Sequence, residues 1–400
     1  MHYLDHAATT DLRPEAAEEW LRVAGETGNA SSTHAAGQRA RRILEESRER
    51  IAGVLDAEPI EIVLTSGGTE SVNLALQGLW RARDAGRERI VLPDGEHHAT
   101  LDTVAALAAS GAGVRPVPID PTGRIPVAAF ADALSGGDGS RPGAAALATA
   151  LVANNEVGTL NDAPALSQAA AAAGVPLHLD AVAALGHVPV SFRTWRGAAN
   201  PGSGLVALSV AGHKIGAPVG TGALVVARSA RLAALLHGGA QQRGLRAGTQ
   251  DVAGAAALAV AAERAEAERA VEAARLASLR DALVAGIRAQ VPDAALLGDP
   301  DPAGRLPGNA HLLFPGAPSE SLLFLLDVAG ISASAGSACQ AGVAEPSHVV
   351  QALGRSEQEA RSVIRFSLGR TSSPADVDAV VAVIGDAYRR ASGAGTAARS

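Results

Sequence analysis

Residues 145–180 read AALATALVANNEVGTLNDAPALSQAAAAAGVPLHLD, and this stretch decides the fold. An apolar run at 145–153 is followed by an Ala-rich segment at 163–173 and by a second short apolar run that ends at Asp180. Such runs are typical of strands buried on both faces, and a helix between them is typical of a crossover between parallel neighbours. The pattern predicts a strand–helix–strand unit.

The same alternation extends to both sides of this unit. Helical periodicity marks residues 38–55, 69–83 and 99–110, and the strand-like segments are 61–64, 89–92, 113–119, 204–210 and 222–226. Strands separated by helices favour right-handed crossovers and a sheet covered by helices on both faces. We therefore predict an α/β fold with a mostly parallel sheet.

A second, smaller domain is expected towards the C-terminus. The Ala-rich run from Gln250 to Gln290 has high helix propensity and predicts one or two helices that bridge to it. A helix at 319–329 and strand-like segments near Ile331 and at 362–367 follow. We predict a large domain over 15–255 and a small α/β domain that comprises 256–400 together with the N-terminal segment 1–14.

Composition narrows the classes of function. The chain has 400 residues, a formal charge of −7 and 2% aromatic residues, with no basic stripe, so direct binding of nucleic acid is disfavoured. No secretory signal is recognisable, and apolar stretches stop short of the roughly 18 to 20 residues that a membrane span needs. A small-molecule substrate and a cytoplasmic location without membrane contact are expected. Cys339 is the only cysteine, which fits a reducing compartment.

Several short motifs could carry chemistry. The turn Thr65–Glu70 (TSGGTE) follows a strand and opens a helix, which makes it either an anion site or only a turn. Asp180 ends a strand at the edge where open α/β sheets bind ligands, although it could simply cap a helix. Lys214 lies in a Gly-His-Lys sequence after a strand and suits a Schiff base, although a lone lysine is usually a solvated surface residue.

Cys339 and the pair His97–His98 are further candidates. Cys339 lies in a run of small residues, 332–342, where a thiol could act as a nucleophile or be an inert half-buried side chain. The two histidines follow a strand. Without a third ligand motif, stacking of one of them on a planar ligand is at least as reasonable as metal binding, and no metal is expected.

Taken together, these blocks resemble one family. The chain is similar to pyridoxal-phosphate-dependent cysteine desulfurases of the IscS/NifS type, in the class V aminotransferase group. The resemblance is carried, in order, by Tyr3–Thr10, Gly28–Ser32, Thr65–Ser71, Glu96–His97, Leu101–Thr103, Asn154–Gly158, Asp180–Ala181, Gly212–Lys214, Arg243–Thr249, Gly336–Cys339, Glu345–His348 and Ile364–Arg370. It implies a fold-type-I enzyme whose large domain binds the cofactor.

The resemblance also implies roles for the candidate residues. Lys214 would carry pyridoxal 5'-phosphate as a Schiff base, Asp180 would pair with its pyridine nitrogen, and His97 would stack on the ring. The phosphate would be held by Gly68, Thr69, His213 and, across a homodimer, Thr249. Asn155 and Arg365 would hold the α-carboxylate of L-cysteine, and Asn155 would also contact the cofactor.

In such enzymes L-cysteine becomes L-alanine and its sulfur becomes a persulfide. Cys339 would carry that persulfide to a sulfur-acceptor protein, as in iron–sulfur cluster assembly or tRNA thiolation. The length and small-residue content of its segment resemble the long-loop subgroup. The small domain would carry this segment.

Two positions depart from the family pattern. Ala183 stands where Gln usually lies near the cofactor 3-hydroxyl, and Ala211 stands where Ser usually reaches the phosphate. Cofactor affinity is therefore expected to be lower, unless neighbours such as Ser209 supply the missing donors. The alternatives are another class V enzyme, such as an aminotransferase, selenocysteine lyase or kynureninase-like hydrolase, and a cofactor-depleted sulfur-carrier or binding protein.

Overall fold

The computed structural model describes residues 1–135, 145–336 and 345–397. Its strands are β1 (His2–Tyr3), β2 (Ile62–Thr65), β3 (Arg89–Pro93), β4 (Gly113–Val117), β5 (Leu147–Leu151), β6 (Pro176–Asp180), β7 (Gly204–Ala211), β8 (Gly222–Val226), β9 (Ala295–Leu296), β10 (Asn309–Leu313), β11 (Ile331–Ser332) and β12 (Val363–Ser367). Its α-helices are α1 (Pro14–Ala24), α2 (Ala35–Leu55), α3 (Gly68–Arg81), α4 (His98–Ala109), α5 (Val127–Ser135), α6 (Ala163–Ala172), α7 (Phe192–Arg196), α8 (Val252–Gln290), α9 (Ser319–Val328), α10 (His348–Ala352), α11 (Glu357–Ala360) and α12 (Pro374–Ala397).

A seven-stranded sheet forms the centre, in the order β2-β8-β7-β6-β5-β3-β4. Neighbouring strands from β7 to β4 are parallel, which confirms the predicted mostly parallel sheet. Strand β8 is antiparallel to both of its neighbours. This antiparallel edge differs from the prediction. Strand β8 runs antiparallel to β7 because the link 212–221 between them contains only a 3-10 turn and is too short for a helical crossover.

The direction of the strands places the site. Strands β2, β3, β5, β6 and β7 end at the same edge of the sheet, and β8 begins there. Every residue of β5, β7 and β8 is buried, as expected for apolar strands covered on both faces. The polar residues that follow these strands therefore meet over one edge.

A smaller antiparallel sheet, in the order β12-β10-β9, lies beyond helix α8. Helix α8 is one continuous helix of 39 residues, where the sequence leaves open one or two. Its residues 257–265 join the hydrophobic core of the large sheet, and its residues 276–287 join a second core around β10, β12 and α12. The division at 255/256 stays a prediction.

The N-terminal segment crosses to the C-terminal part of the chain. Strand β1 pairs in parallel with β11, and Asp5 forms a bridge with Ser367 at the end of β12. The backbone of residues 2–7 is thereby fixed between two strands that lie more than 300 positions further along the sequence. Among the described helices, none combines the length and the apolar character needed to cross a lipid bilayer.

Candidate active site

A cavity of about 370 Å³ lies over the shared edge of the strands. The predicted site residues that line it are Gly68, Thr69, His97, Asn155, Asp180, His213, Lys214 and Arg365. Thr249 is an exposed loop residue before α8 and does not line the cavity. Cys339 lies outside the described residues. The structure therefore brings predicted site residues that are up to 297 positions apart in the sequence, Gly68 and Arg365, to the same cavity.

The N-terminus of helix α3 forms one wall. Gly67 has φ +148°, a conformation that residues with side chains rarely adopt, and it turns the chain from β2 into the helix. At Gly68 a Cβ atom would lie 2.8 Å from the Cγ2 atom of Val182, so the close approach needs glycine. The first amides of this 14-residue helix and the Thr69 hydroxyl stand beside the cavity, in an arrangement that favours an anion.

Lys214 lies in the 3-10 turn Gly212–Lys214, directly after β7. Its Nζ atom donates to the carbonyl oxygen of Ala7 and to that of Ala8, the latter at 3.1 Å. The N-terminal segment thus fixes the amine at the cavity wall. Lys214 is also the only lysine in the sequence, since every other basic residue apart from histidine is arginine.

Asp180 is the last residue of β6 and is only 3% exposed. Its Oδ1 atom accepts a hydrogen bond from the Val182 amide at 2.8 Å. Burial raises the pKa of Asp180 to about 6, although the Val182 hydrogen bond and the nearby Lys214 charge act in the opposite direction. A cationic group in the cavity would therefore be stabilised by this carboxylate, and would in turn favour its ionised form.

His97 caps helix α4 and lines the opposite side of the cavity. Its Nδ1 atom accepts from the Ala99 amide at 3.1 Å, which fixes the ring. Burial, followed by the charge of Lys214, lowers the pKa of His97 to about 4, so the ring is neutral at physiological pH. The rings of His98 and His348 meet edge to face nearby, with centroids 5.0 Å apart.

The consecutive residues Asn154 and Asn155 have different roles. Asn154 is structural, because its Oδ1 atom accepts from the amides of Glu156 and Val157 and its Nδ2 atom donates to Gly95. The Oδ1 atom of Asn155 is buried without a hydrogen-bond partner among the described residues. A buried, unsatisfied oxygen beside a cavity calls for a partner that the protein does not supply, either a ligand or an ordered water.

Arg365, in the middle of β12, completes the far end. Its Nη1 atom donates to the backbone oxygens of Asn155 at 2.8 Å and Gly336 at 3.3 Å, and its Nη2 atom pairs with Asp5 at 3.0 Å. The Nε atom is buried and has no partner among the described residues. The guanidinium is therefore held rigidly while keeping donor capacity for an anion.

Comparison with known proteins identifies the family. The family model of the class-V aminotransferases matches residues 2–380. The chain belongs to the class-V aminotransferase family. It is 47% identical to an IscS-like cysteine desulfurase of Mycobacterium tuberculosis, over the whole of this chain and 99% of that protein.

Solved structures agree with this assignment. A NifS-like protein superposes with a TM-score of 0.85 at 28% identity, covering 96% of this chain and 99% of that one. A structure described as SspA in complex with cysteine has a TM-score of 0.75 at 27% identity, with 92% and 99% covered. The resemblance to IscS/NifS-type cysteine desulfurases and the fold that it implies are confirmed.

The two departures from the family pattern both line the cavity. Ala183 is half-buried and Ala211 is 2% exposed, and neither side chain offers a hydrogen bond. The suggestion that Ser209 could replace a missing donor is wrong for this arrangement, because Ser209 does not line the cavity and its hydroxyl is bonded to Nε2 of His178 at 2.7 Å. Ser209 is two residues before Ala211 on β7, so both side chains point to the same face, but Ser209 lies deeper in the strand.

The sequence analysis gave no role to several residues of the site. Asp5 holds Arg365, and His6 and His187 line the cavity beside Lys214. Glu96 and Glu156 are buried carboxyls, and burial raises the pKa of both. Of these, only His187 lies outside the motif blocks. The other four residues lie in motif blocks, so the sequence indicated that they could matter but not which groups they contact.

Proposed function

We propose that this protein is a cysteine desulfurase that converts L-cysteine to L-alanine and passes the sulfur to an acceptor protein. The observation that carries the proposal is the arrangement around one cavity of a fixed lysine, a buried aspartate at a strand end and an arginine with remaining donor capacity. The relatives named cysteine desulfurases support the same activity.

The residues present fit pyridoxal 5'-phosphate, which the family implies. Lys214 would hold the cofactor covalently, and Asp180 would hold its protonated ring nitrogen. Gly68, Thr69 and His213 would hold the phosphate, and the unpartnered Asn155 Oδ1 supports a ligand at this wall. When bound, the cofactor supplies an aldehyde that captures the substrate amine and a ring that withdraws electrons from its Cα atom.

The remaining steps belong to the side chains of this chain. Arg365, together with Asn155, binds and orients the substrate carboxylate. Lys214 takes the proton from the substrate Cα, since the amine is fixed at the cavity wall. Neutral His97 would stack on the cofactor ring and would give or take a proton beside it.

Sulfur transfer is assigned to Cys339. Its thiolate sulfur attacks the substrate sulfur, the S–S bond forms as the substrate Cβ–S bond breaks, and the carbon takes up a proton to leave as alanine. The persulfide then passes to an acceptor thiol. We further propose a homodimer in which Thr249 contacts the phosphate site of the neighbouring subunit. The cytoplasmic location stays a prediction.

Two measurements test the function. Borohydride reduction of the yellow holoprotein, followed by peptide mapping, should place the pyridoxyl group on Lys214. Because Lys214 is the only lysine, the N-terminal amine is the one competing primary amine of the polypeptide, and a label there would contradict the assignment.

The second measurement uses Cys339→Ser. This variant should keep the yellow cofactor and bind L-cysteine, yet lose alanine production, because binding and sulfur transfer use different residues. With one cysteine in the chain, a mass gain of one sulfur atom on the parent locates the persulfide without ambiguity. Unchanged turnover by the variant would refute the persulfide step.

A further inference from the structure

A second, smaller cavity lies behind Lys214. Its volume is about 50 Å³, and it shares three residues with the large cavity, namely His6, His187 and Lys214. These three residues line both spaces and so lie between them. Two imidazoles and the chain's only lysine amine thus separate the substrate cavity from a space on the other side, which we name the back cavity.

The back cavity is lined by charged side chains that reach solvent and by apolar residues, among them Ile215 and Leu276. Arg13, Glu268 and Glu272 line it, and the Glu268 carboxylate accepts from Arg13 at 2.7 Å. The side chains of Glu268 and Glu272 are 39% and 24% exposed, so both carboxylates lie at the protein surface. A cavity of this size, with these charged groups in its wall, has room for a water molecule, which needs about 10 to 15 Å³.

His6 is fixed in one orientation. Its Nδ1 atom shares a hydrogen bond with the Thr10 hydroxyl at 2.7 Å, and the Tyr3 ring meets it edge to face at 5.0 Å. The ring packs against Gly369, where a Cβ atom would lie 2.3 Å from Nδ1. The ring is 94% buried by this packing (6% exposed), and its Nε2 atom has no partner among the described residues. This nitrogen is a free donor or acceptor in the wall.

His187 stands next to His6 and Lys214. Burial lowers the pKa of His187 to about 4, and the charges of His6 and Lys214 add to that effect. A neutral imidazole has one N–H donor and one acceptor nitrogen. It can accept a proton on one nitrogen while it releases the other, and no charged imidazolium needs to accumulate.

We propose that His6 and His187 carry protons between Lys214 and the back cavity. The Nζ–H bond of Lys214 breaks as a bond forms to a nitrogen of one imidazole, and the proton on the opposite nitrogen of that ring passes to the second imidazole. The second ring releases the proton on its own opposite nitrogen to water in the back cavity and then to solvent. The reverse sequence returns a proton to Lys214. Both histidines act through Lys214 and not on the substrate.

This inference rests on the proposed function, in which Lys214 accepts the substrate Cα proton and must change its protonation state in every turnover. Substrate fills the large cavity during that step, so a route on the other side of Lys214 keeps proton exchange open. The charged groups that face His6 are Asp5, Asp11, Asp376 and Arg370, and those facing the back cavity are Arg13, Glu268, Glu272 and Arg370.

The test compares the parent with His187→Gln, His6→Asn and the double variant. The single variants should lower kcat about tenfold or more, with the KM for L-cysteine and the cofactor absorbance unchanged, and should increase the solvent deuterium isotope effect on kcat. The pH profile of kcat should shift in the same variants. Since both residues serve one route, the double variant should be little worse than the poorer single variant.

The control is His237→Gln, which removes an exposed histidine that lines neither cavity. If kcat, isotope effect and pH profile of all the wall variants equal those of the parent, the proposal is wrong. If a wall variant does not fold, Glu272→Gln tests the same route from its outer end and should raise the isotope effect.

A readout apart from turnover separates this inference from the function. The rate at which apoprotein takes up pyridoxal 5'-phosphate, followed by absorbance, requires Lys214 to lose a proton and should fall in the wall variants. A parent that loads cofactor but yields no alanine from L-cysteine would refute the function alone. Equal loading rates together with unchanged turnover properties would refute the relay alone.

Discussion

The two ends of the substrate cavity are built in different ways. At the Arg365 end, the guanidinium is held by two backbone oxygens and the Asp5 carboxylate before any ligand arrives. At the Asp180 end, the carboxylate has one backbone donor, and Ala183 and Ala211 offer no hydrogen bond at all. One end is organised by the protein, and the other is completed by what binds there.

This difference separates two kinds of loss. Changes at the Arg365 end should lower the affinity for the substrate, because the substrate carboxylate would lose a correctly placed guanidinium. Changes at the Asp180 end should alter retention of the cofactor, because the side chains at this end would contact the cofactor and not the substrate carboxylate. Substitutions that change only one end of the cavity separate these two kinds of loss.

The largest effect is expected for Arg365→Lys. The ammonium keeps the charge but loses the planar fork, and a hydrogen bond to a charged partner contributes about 1.5 to 3 kcal/mol. The KM for L-cysteine should therefore rise about ten- to a hundredfold while the cofactor absorbance stays that of the parent. Steady-state kinetics and a visible spectrum measure both.

Arg370→Lys is the matched control, because Arg370 lines the back cavity and not the large one. If the control shows the increase in KM and Arg365→Lys does not, Arg370 binds the carboxylate and the contrast between the two ends fails.

A smaller effect is expected when donors are added at the Asp180 end. The double variant Ala183→Gln with Ala211→Ser adds two hydrogen-bonding groups to the cavity wall, each contributing about 0.5 to 1 kcal/mol. It should lose cofactor about tenfold more slowly than the parent during dialysis against a carbonyl trap. The two single variants divide the gain between the sites. Equal rates for parent and double variant would mean that other groups already fill both gaps.

The smallest effect concerns Glu96, a buried carboxyl close to the Asp180 end. Its Oε1 atom accepts from the Leu151 amide at 2.9 Å, while Oε2 is buried without a partner among the described residues. Burial raises the pKa of Glu96 to about 8, and the Leu151 hydrogen bond opposes that increase. The folded state therefore binds a proton that the unfolded state releases between the ordinary glutamate pKa and pH 8.

Stability should accordingly fall as the pH rises through this range. Glu96→Gln keeps the oxygen that accepts from Leu151 and cannot ionise, so its melting temperature should exceed that of the parent at pH 9 by a few degrees. The gap should shrink towards pH 5. Thermal unfolding of the apoprotein at both pH values measures it, and a gap independent of pH would contradict the assignment of a buried, titrating carboxyl.

Much of the fold followed from periodicity alone. The unit at 145–180 predicted β5, α6 and β6 within two residues at nearly every boundary, because apolar runs and helix formers are local signals. The antiparallel direction of β8 was missed, although the short link 212–221 is a local signal for it, and the pairing of β2 with β8 depends on where the chain returns in space.

The site divides in the same way. Asp180 and Lys214 were predictable because strand ends in an α/β sheet converge on one edge. The pairing of Asp5 with Arg365 joins residues 360 positions apart and has no local pattern. Ser209 could be placed near Ala211 from the sequence, but its bond to His178 depends on the neighbouring strand β6.

The N-terminal segment makes the assembly of the site depend on the order of synthesis. Residues 2–7 leave the ribosome long before their hydrogen-bond partners Gly330, Ser332 and Ser367 are made. Until those partners exist, the segment with the carbonyls that hold Lys214 is attached only through residues such as Thr10, whose amide donates to the His213 carbonyl oxygen. A nascent chain that ends before residue 330 should therefore position its lysine poorly, so that uptake of the yellow chromophore reports that synthesis has passed the end of β12.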